Sequence, residues 1–152
     1  AHLTIAAIAL DVPVQAMGWE VVRGADGATT RWVLPEGAAG WHVDSARAGE
    51  AGNTIISGRQ LGGEVFAPLA LGMAAPGQEV EVRDAEGARF LYRITEVSDP
   101  LPIRGAGEAE NTLIEQYLQP SAEPRLTLIT GWPDFTTTHR IFVVAEFVRE
   151  QP

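Results

Sequence analysis

Short runs of apolar and β-branched residues recur along the chain, and Gly, Pro, Asp and Asn separate them. This pattern is typical of an all-β protein. The apolar positions predict eight strands, at 3–10, 18–22, 29–34, 54–57, 79–83, 88–97, 125–130 and 140–148. The last run is almost continuously apolar, so we expect this strand to be central and buried on both faces. Pro13 predicts an edge or a break in its strand.

Two short helical segments interrupt the predicted strands. Residues 65–69 predict one turn of helix, and residues 111–118 predict a helix with Asn111 as its N-cap and Pro120 just beyond its end. About eight strands in a chain of this length favour a small closed barrel over a sandwich. No repeat or linker divides the 152 residues, so we predict one domain over residues 1–152.

The charge and the residue usage narrow the possible function classes. The formal net charge is −9, which argues against a nucleic-acid partner because such binders need clustered basic charge. The chain contains no Cys, which excludes disulfides, thiolate metal sites and thiol nucleophiles. No run of 18 apolar residues is present, so we expect no membrane-spanning segment within the chain.

Neither a metal nor a cofactor is expected. The three His residues are scattered without the spacing of metal ligands. Glu108, Glu110 and Glu115 offer the oxygen ligands that calcium prefers, in or beside an irregular stretch at 98–110. They lack the regular spacing of a calcium loop, so a solvated acidic loop is the favoured interpretation.

Residues 126–141 read LTLITGWPDFTTTHRI. An apolar strand ends at Thr130, a nine-residue loop follows, and Arg140 begins the next strand. This layout resembles the thiol centre of the sortases, where a T-L-x-T-C strand precedes the strand that begins with a catalytic Arg. Residues 52–58 (GNTIISG) are similar to the family's N-x-x-x-x-G-H strand, and residues 3–14, 64–69 and 75–80 resemble three further family segments in the same order. By order and spacing, the chain is identified as a member of the sortase family.

The resemblance implies a closed eight-stranded sortase-like β-barrel with one or two short helices. It also implies an extracellular location at the bacterial cell surface, with the membrane involved only through an anchor outside this chain. Sortases are cysteine transpeptidases that cleave a sorting motif and transfer its acyl part to an amine. Their Cys attacks the carbonyl, a His protonates the leaving amine, and an Arg stabilises the oxyanion.

Carried over to this chain, the resemblance places Gly131 at the Cys position, Arg59 at the His position and Arg140 at the Arg position. Gly131 has no nucleophile, so no acyl intermediate can form on it. Arg59 stays protonated near neutral pH and cannot transfer a proton. Two losses together favour natural degeneration over an engineered single substitution, and they predict a protein that is inactive as a transpeptidase.

A substitute nucleophile is the alternative, since several hydroxyls lie near the expected cleft. They are Ser57, Thr130, Thr136 and Thr137, and a Thr paired with His139 is in principle able to attack an acyl group. Structural roles are the favoured interpretation of all of them. His42 likewise is interpreted as a hydrogen-bonded structural residue in a β-segment.

If the barrel places Arg59 near Arg140, two hypotheses follow for the former catalytic centre. Either it binds an anion, such as a peptide carboxylate, or Asp134 fills it as an internal ion pair. The internal pair is favoured. The candidate binding residues are Arg59, Arg140, Asp134, His139 and Trp132, in a groove lined by 98–110 and 131–139. The candidate partners are a sorting-motif-like peptide and a small anion, and a barrel without any ligand remains a third possibility.

Overall fold

Eleven strands and two short α-helices make up the described part of the computed structural model, which covers residues 1–25 and 27–152. The strands are β1 (His2–Ile5), β2 (Leu10–Met17), β3 (Trp19–Gly24), β4 (Gly27–Trp32), β5 (Ala39–His42), β6 (Gly52–Ser57), β7 (Glu79–Arg83), β8 (Arg89–Val97), β9 (Leu101–Pro102), β10 (Pro124–Trp132) and β11 (His139–Gln151). The helices are α1 (Ala67–Ala70) and α2 (Glu108–Leu118). None of the described helices is long and apolar enough to cross a membrane.

Eight strands form a closed barrel, as the sequence predicts. Their order is β10, β6, β5, β2, β1, β7, β8 and β11, and antiparallel pairing of β10 with β11 closes the ring. The pairs β2–β5 and β6–β10 are parallel. The short strand β9 adds to the edge of β11, and β3 and β4 form a separate hairpin. The closed ring leaves few exposed strand edges.

The barrel interior holds the main apolar core, and a smaller cluster lies outside it under α2. Leu126 and Leu128 of β10 point inward and are fully buried. On the outer face, Phe142 stacks on Tyr117 of α2 with ring centroids 5.0 Å apart. Strand β11 is therefore covered on both sides, and its residues 141–145 are all buried, as predicted from their apolar run.

The first predicted strand is wrong in its extent. Residues 6–8 form a 3-10 turn that ends at Ala9 in the left-handed conformation, with φ 54° and ψ 33°. The turn reverses the chain, so β2 pairs antiparallel with β1. Pro13 lies within β2 and does not break it. Pairing of β2 with β5 begins only at Val14. On the side of β5, therefore, no hydrogen bond is lost because Pro13 has no N–H.

Helix α2 begins three residues earlier than predicted. The side chain of Glu110 accepts a hydrogen bond from the backbone N–H of Gly107 at 2.9 Å, which caps the first turn. The acidic residues of this turn also favour the positive end of the helix dipole. The predicted irregular stretch at 98–110 thus contains β9 and the start of α2.

A buried polar network joins α2 to the barrel. Thr127 of β10 donates a hydrogen bond to Asn53 Oδ1 at 2.8 Å. The amide nitrogen of Asn53 donates to the carbonyls of Tyr117 at 2.8 Å and Gln119 at 3.0 Å. Asn53 and Thr127 are both buried. The network therefore satisfies carbonyl groups at the end of α2 that have no partner within the helix.

Replacing Thr127 by Val is expected to lower the free energy of unfolding by about 1–2 kcal/mol, because Asn53 Oδ1 loses its donor inside the protein. Urea denaturation measures the change. Thr54→Val is a matched control on the neighbouring strand, since the hydroxyl of Thr54 is also buried but takes no part in this network. An equal loss of stability in both variants would contradict this account of the network.

Candidate functional site

The register of three neighbouring strands brings Ser57, Gly131 and Arg140 to one outer face of the barrel. Ser57 of β6 pairs with Ile129 of β10, and Gly131 pairs with Arg140 of β11. Residues that pair across a ladder, and residues two apart along a strand, point to the same side of the sheet. The predicted positions of the lost nucleophile and the retained Arg are therefore adjacent on β10 and β11.

The next strand adds a His to the same face. Ser57 pairs on its other side with Gly40 of β5, so His42, two residues further along, faces the same way. The Nε2 atom of His42 lies 2.7 Å from the hydroxyl oxygen of Ser57. The ring of Trp32 packs against the imidazole with centroids 4.3 Å apart. The hydrogen bond agrees with the interpretation of His42 as part of a packed β-segment.

Burial sets the protonation state of this imidazole. Loss of solvent around the ring lowers the pKa of His42 below its ordinary value of 6.5, and the negative charge of Asp44 offsets part of this effect. His42 is therefore neutral at pH 7, and one of its ring nitrogens is free to accept a hydrogen bond.

A cleft with a volume of about 580 Å³ opens on this face. Much of the lining, called here the apolar wall, is apolar: Met17, Trp32, Leu34, Leu61, Ile114, Leu118, Ile129 and Phe142. The cationic residues are Arg31, Arg59 and Arg140, and no Asp or Glu is among the described lining residues. Glu20 pairs with Arg31 at 2.6 Å, so Arg59 and Arg140 provide the excess positive charge of the cleft.

The space beside Gly131 is filled by the side chain of Gln60, which is 4% exposed. Its amide nitrogen contacts the hydroxyl of Thr137 at 2.8 Å and the carbonyls of Pro133 and Thr136 at 3.2 Å. A Cβ atom on Gly131 would lie 2.4 Å from that nitrogen. Gln60 therefore holds the loop between β10 and β11 in place, and any side chain at position 131 would have to displace it.

Asp134 does not link the two arginines. No ion pair among the described residues includes Asp134, Arg59 or Arg140. The guanidinium of Arg59 instead donates to the carbonyl of Leu34 at 3.0 Å. The polar group that fills the old centre is the neutral amide of Gln60, which no motif or spacing in the sequence points to.

Trp132 and His139 lie opposite one another on β10 and β11, one position away from the Gly131–Arg140 pair. Their side chains therefore point away from the cleft, and neither residue lines it. The two rings pack edge to face with centroids 5.3 Å apart. The lining that the sequence assigned to 98–110 is provided instead by Ile114 and Leu118 of α2.

The acidic residues of α2 do not form a cluster suited to a metal. No group of three or more His, Asp or Glu side chains in the described ranges is arranged to hold an ion. Glu110 caps α2, as described above, and Glu108 lies in its first turn.

Comparison with known proteins relates this fold to one family. Residues 3–148 match the family model of the sortase domain. No curated protein sequence matched the chain. Sortase A of Listeria monocytogenes superposes with a TM-score of 0.70 at 15% identity, covering 99% of this chain and 87% of that chain. Sortase E1 from Streptomyces coelicolor, with a tripeptide in its active site, gives 0.68 at 20% identity and covers 100% and 89%. At these identities the likeness establishes the fold.

Proposed function

Since this chain belongs to the sortase family, with the family model covering residues 3–148, we propose that it is a sortase-like protein without thiol transpeptidase activity, whose cleft binds a carboxylate-bearing apolar peptide at the cell surface. The family's location at the cell envelope supports this placement.

The geometry at Gly131 supports the loss of thiol chemistry. The chain has no Cys, and Gln60 occupies the space into which a side chain at position 131 would point. Arg59, at the family's His position, is exposed and bonded to the Leu34 carbonyl. Neither the nucleophile nor the acid of the family mechanism has an equivalent at its own position.

The observation that carries the binding proposal is the charge of the cleft. Arg59 and Arg140 line it without any acidic neighbour in the described lining, although the protein has a net charge of −9. Two guanidiniums in one cleft repel one another, and an anion bound in that cleft relieves the repulsion. Guanidinium groups bind carboxylates in a bidentate manner, which adds geometric specificity to the charge.

The rest of the lining indicates what carries the carboxylate. The apolar wall described above suits aliphatic or aromatic side chains, and burial of their surface adds affinity. A small inorganic anion would use the arginines and leave this wall exposed. The combination favours a peptide with apolar side chains beside an acidic group over a free anion.

Calorimetry with an apolar tetrapeptide tests the proposal. The peptide with a free C-terminal carboxylate is expected to bind, and Arg140→Gln is expected to weaken this binding at least 10-fold because one charged contact is removed. The same peptide with a C-terminal amide should bind weakly to both proteins. Arg93→Gln is the matched control, since Arg93 is exposed and lies outside the cleft.

Two results would contradict the proposal. Equal affinity for the peptide acid and the peptide amide would show that the arginines do not bind the carboxylate. An absence of heat with either peptide, repeated with a sorting-motif-like peptide and with phosphate, would favour a barrel without a ligand. Affinity that falls as salt rises from 50 to 500 mM would support the charged contact, because salt screens exposed charges.

A further inference from the structure

We propose that Ser57 and His42 form an acyl-transfer pair in the cleft, and that through it the protein hydrolyses carboxylic esters with apolar acyl groups. The proposal goes beyond carboxylate binding and does not depend on it. It places the nucleophile on β6, one strand away from Gly131, and the base on β5, one strand further.

The pair has the geometry that a hydroxyl nucleophile needs. The Ser57 oxygen and His42 Nε2 are 2.7 Å apart, within the distance for direct proton transfer. Both side chains line the cleft. They come from neighbouring antiparallel strands rather than from one flexible loop, so the sheet fixes their relative positions.

The backbone just after Ser57 is fixed on both sides. The N–H of Gly58 donates to the carbonyl of Ile129 at 3.0 Å, and its carbonyl accepts from the hydroxyl of Thr130 at 2.8 Å. Thr130 is 3% exposed, so this second bond is shielded from water. Ser57 is therefore held in one position before any substrate arrives, as a nucleophile requires.

The environment of His42 suits a general base. Its ring is partly covered by Trp32, and burial lowers its pKa, so the neutral form that accepts a proton prevails at pH 7. Asp44 is the carboxylate whose charge acts on the ring, and it favours the protonated imidazole that forms during the reaction.

Arg140 provides positive charge on the same face. It lies on β11, two strands from Ser57 and two residues along from Phe142, which is in line with Ser57, so its backbone is about 12 Å from that of Ser57. Ile129 lies between them, and Phe142 and Ile114 add to the apolar wall there. An apolar acyl group resting on this wall would have its carbonyl near Ser57, in a cleft whose positive charge favours a developing oxyanion at longer range.

A second hydroxyl–imidazole pair shows why the cleft matters. Thr138 and His139 are also 2.7 Å apart. They are adjacent in sequence, Thr138 is exposed, and neither residue lines the cleft. Because this pair lies outside the cleft, it serves as an internal control for the pair inside it.

The proposed reaction has two steps. Ser57 Oγ bonds to the ester carbonyl carbon while its proton passes to His42 Nε2, and the C–O bond to the alcohol breaks as the alcohol takes that proton. Water then attacks the acyl-serine, giving one proton to His42, which returns it to Ser57 Oγ as the acid leaves. One ester and one water become one acid and one alcohol.

Covalent labelling of the whole chain with diisopropyl fluorophosphate tests the proposal. The Ser57 oxygen would bond to phosphorus and fluoride would leave, so mass spectrometry should show one adduct, mapped to Ser57. Hydrolysis of p-nitrophenyl butyrate should accompany it. Ser57→Ala should abolish both, and His42→Gln should slow both at least 100-fold. Thr138→Ala and His139→Gln should change neither.

Ser57→Cys gives an independent measurement that does not rely on loss of function. The chain has no Cys, so this variant carries one thiol. Pairing with His42 should give it a pKa below the ordinary value of about 8.5, measured from the pH dependence of iodoacetamide alkylation. Adding His42→Gln should return the pKa towards that value.

The two proposals fail separately. Ser57→Ala lacks the nucleophile and should still bind the carboxylate peptide. No adduct at excess probe, an adduct on another residue, or an ordinary thiol pKa in the Ser57→Cys variant would overturn the acyl-transfer pair and leave carboxylate binding intact.

Discussion

Replacing Gly131 by Ala is expected to lower the free energy of unfolding by about 2 kcal/mol, because the added methyl group displaces the Gln60 amide. The Cβ would lie 2.4 Å from the amide nitrogen and 2.7 Å from the amide oxygen. Gln60 is the end of a flexible side chain, but it is buried and contacts three acceptors in the β10–β11 loop. The cost is therefore the loss of these contacts. Urea denaturation measures it.

A double-mutant cycle isolates this effect. Gln60→Ala alone should cost about 2 kcal/mol, because part-buried carbonyls of the loop lose their donor and the buried side chain leaves a void. In that background Gly131→Ala should be close to neutral, since the space beside it is empty. Gly18→Ala is the matched glycine control, because its Cβ would have no atom within 4 Å. Additive effects of the two substitutions would mean that Gln60 and position 131 do not compete for space.

The same contact decides how a thiol centre can be restored. Arg59→His with Gly131→Cys supplies both missing groups, yet the new thiol would meet Gln60 in its path. We expect the double variant to be destabilised and its thiol to react slowly with disulfide reagents. Adding Gln60→Ala should speed that reaction. Sorting-peptide cleavage should be measured in the triple variant, where Gln60 no longer blocks the thiol.

The barrel is predictable from the sequence because its strands carry strong local signals. The run at 140–148 is too apolar for a strand with one solvent-exposed face. In the structure, this strand is covered on both sides. The order of the segments that resemble sortases predicts that the strands close into a barrel, which the apolar periodicity alone does not specify. Strand β5 is absent from the predicted strands because it has four residues, two of them Ala39 and Gly40, which have low β-propensity.

The contents of the cleft are not predictable in the same way, because they depend on pairings between distant segments. Gln60 meets Gly131 across 71 positions of sequence only because β6 and β10 are parallel neighbours. His42 meets Ser57 only because of the register between β5 and β6. Proximity in sequence instead favours His139 as the partner of a threonine hydroxyl and Asp134 as the ion-pair partner of the arginines. Both residues lie outside the cleft lining.

Gly58→Ala is expected to cost about 3 kcal/mol of stability, because its Cβ would lie 2.6 Å from the buried ring of Phe66. The φ of Gly58 is not in the left-handed region, so backbone strain is not the cause. The ring has no exposed surface and cannot swing into solvent, unlike the end of a glutamine side chain. Thermal and urea denaturation both report the loss.

Truncating the ring separates packing from any other role of this glycine. In a Phe66→Ala background, itself destabilised by about 3–5 kcal/mol, Gly58→Ala should be nearly neutral because the clash is gone. Gly58 lies between Ser57 and Arg59, so close packing against Phe66 also fixes where both side chains leave the backbone. The Gly58→Ala protein should therefore lose fluorophosphate labelling at temperatures where it is still folded. Full labelling in a folded Gly58→Ala protein would show that Ser57 reacts normally even when the packing of residue 58 against Phe66 is disturbed.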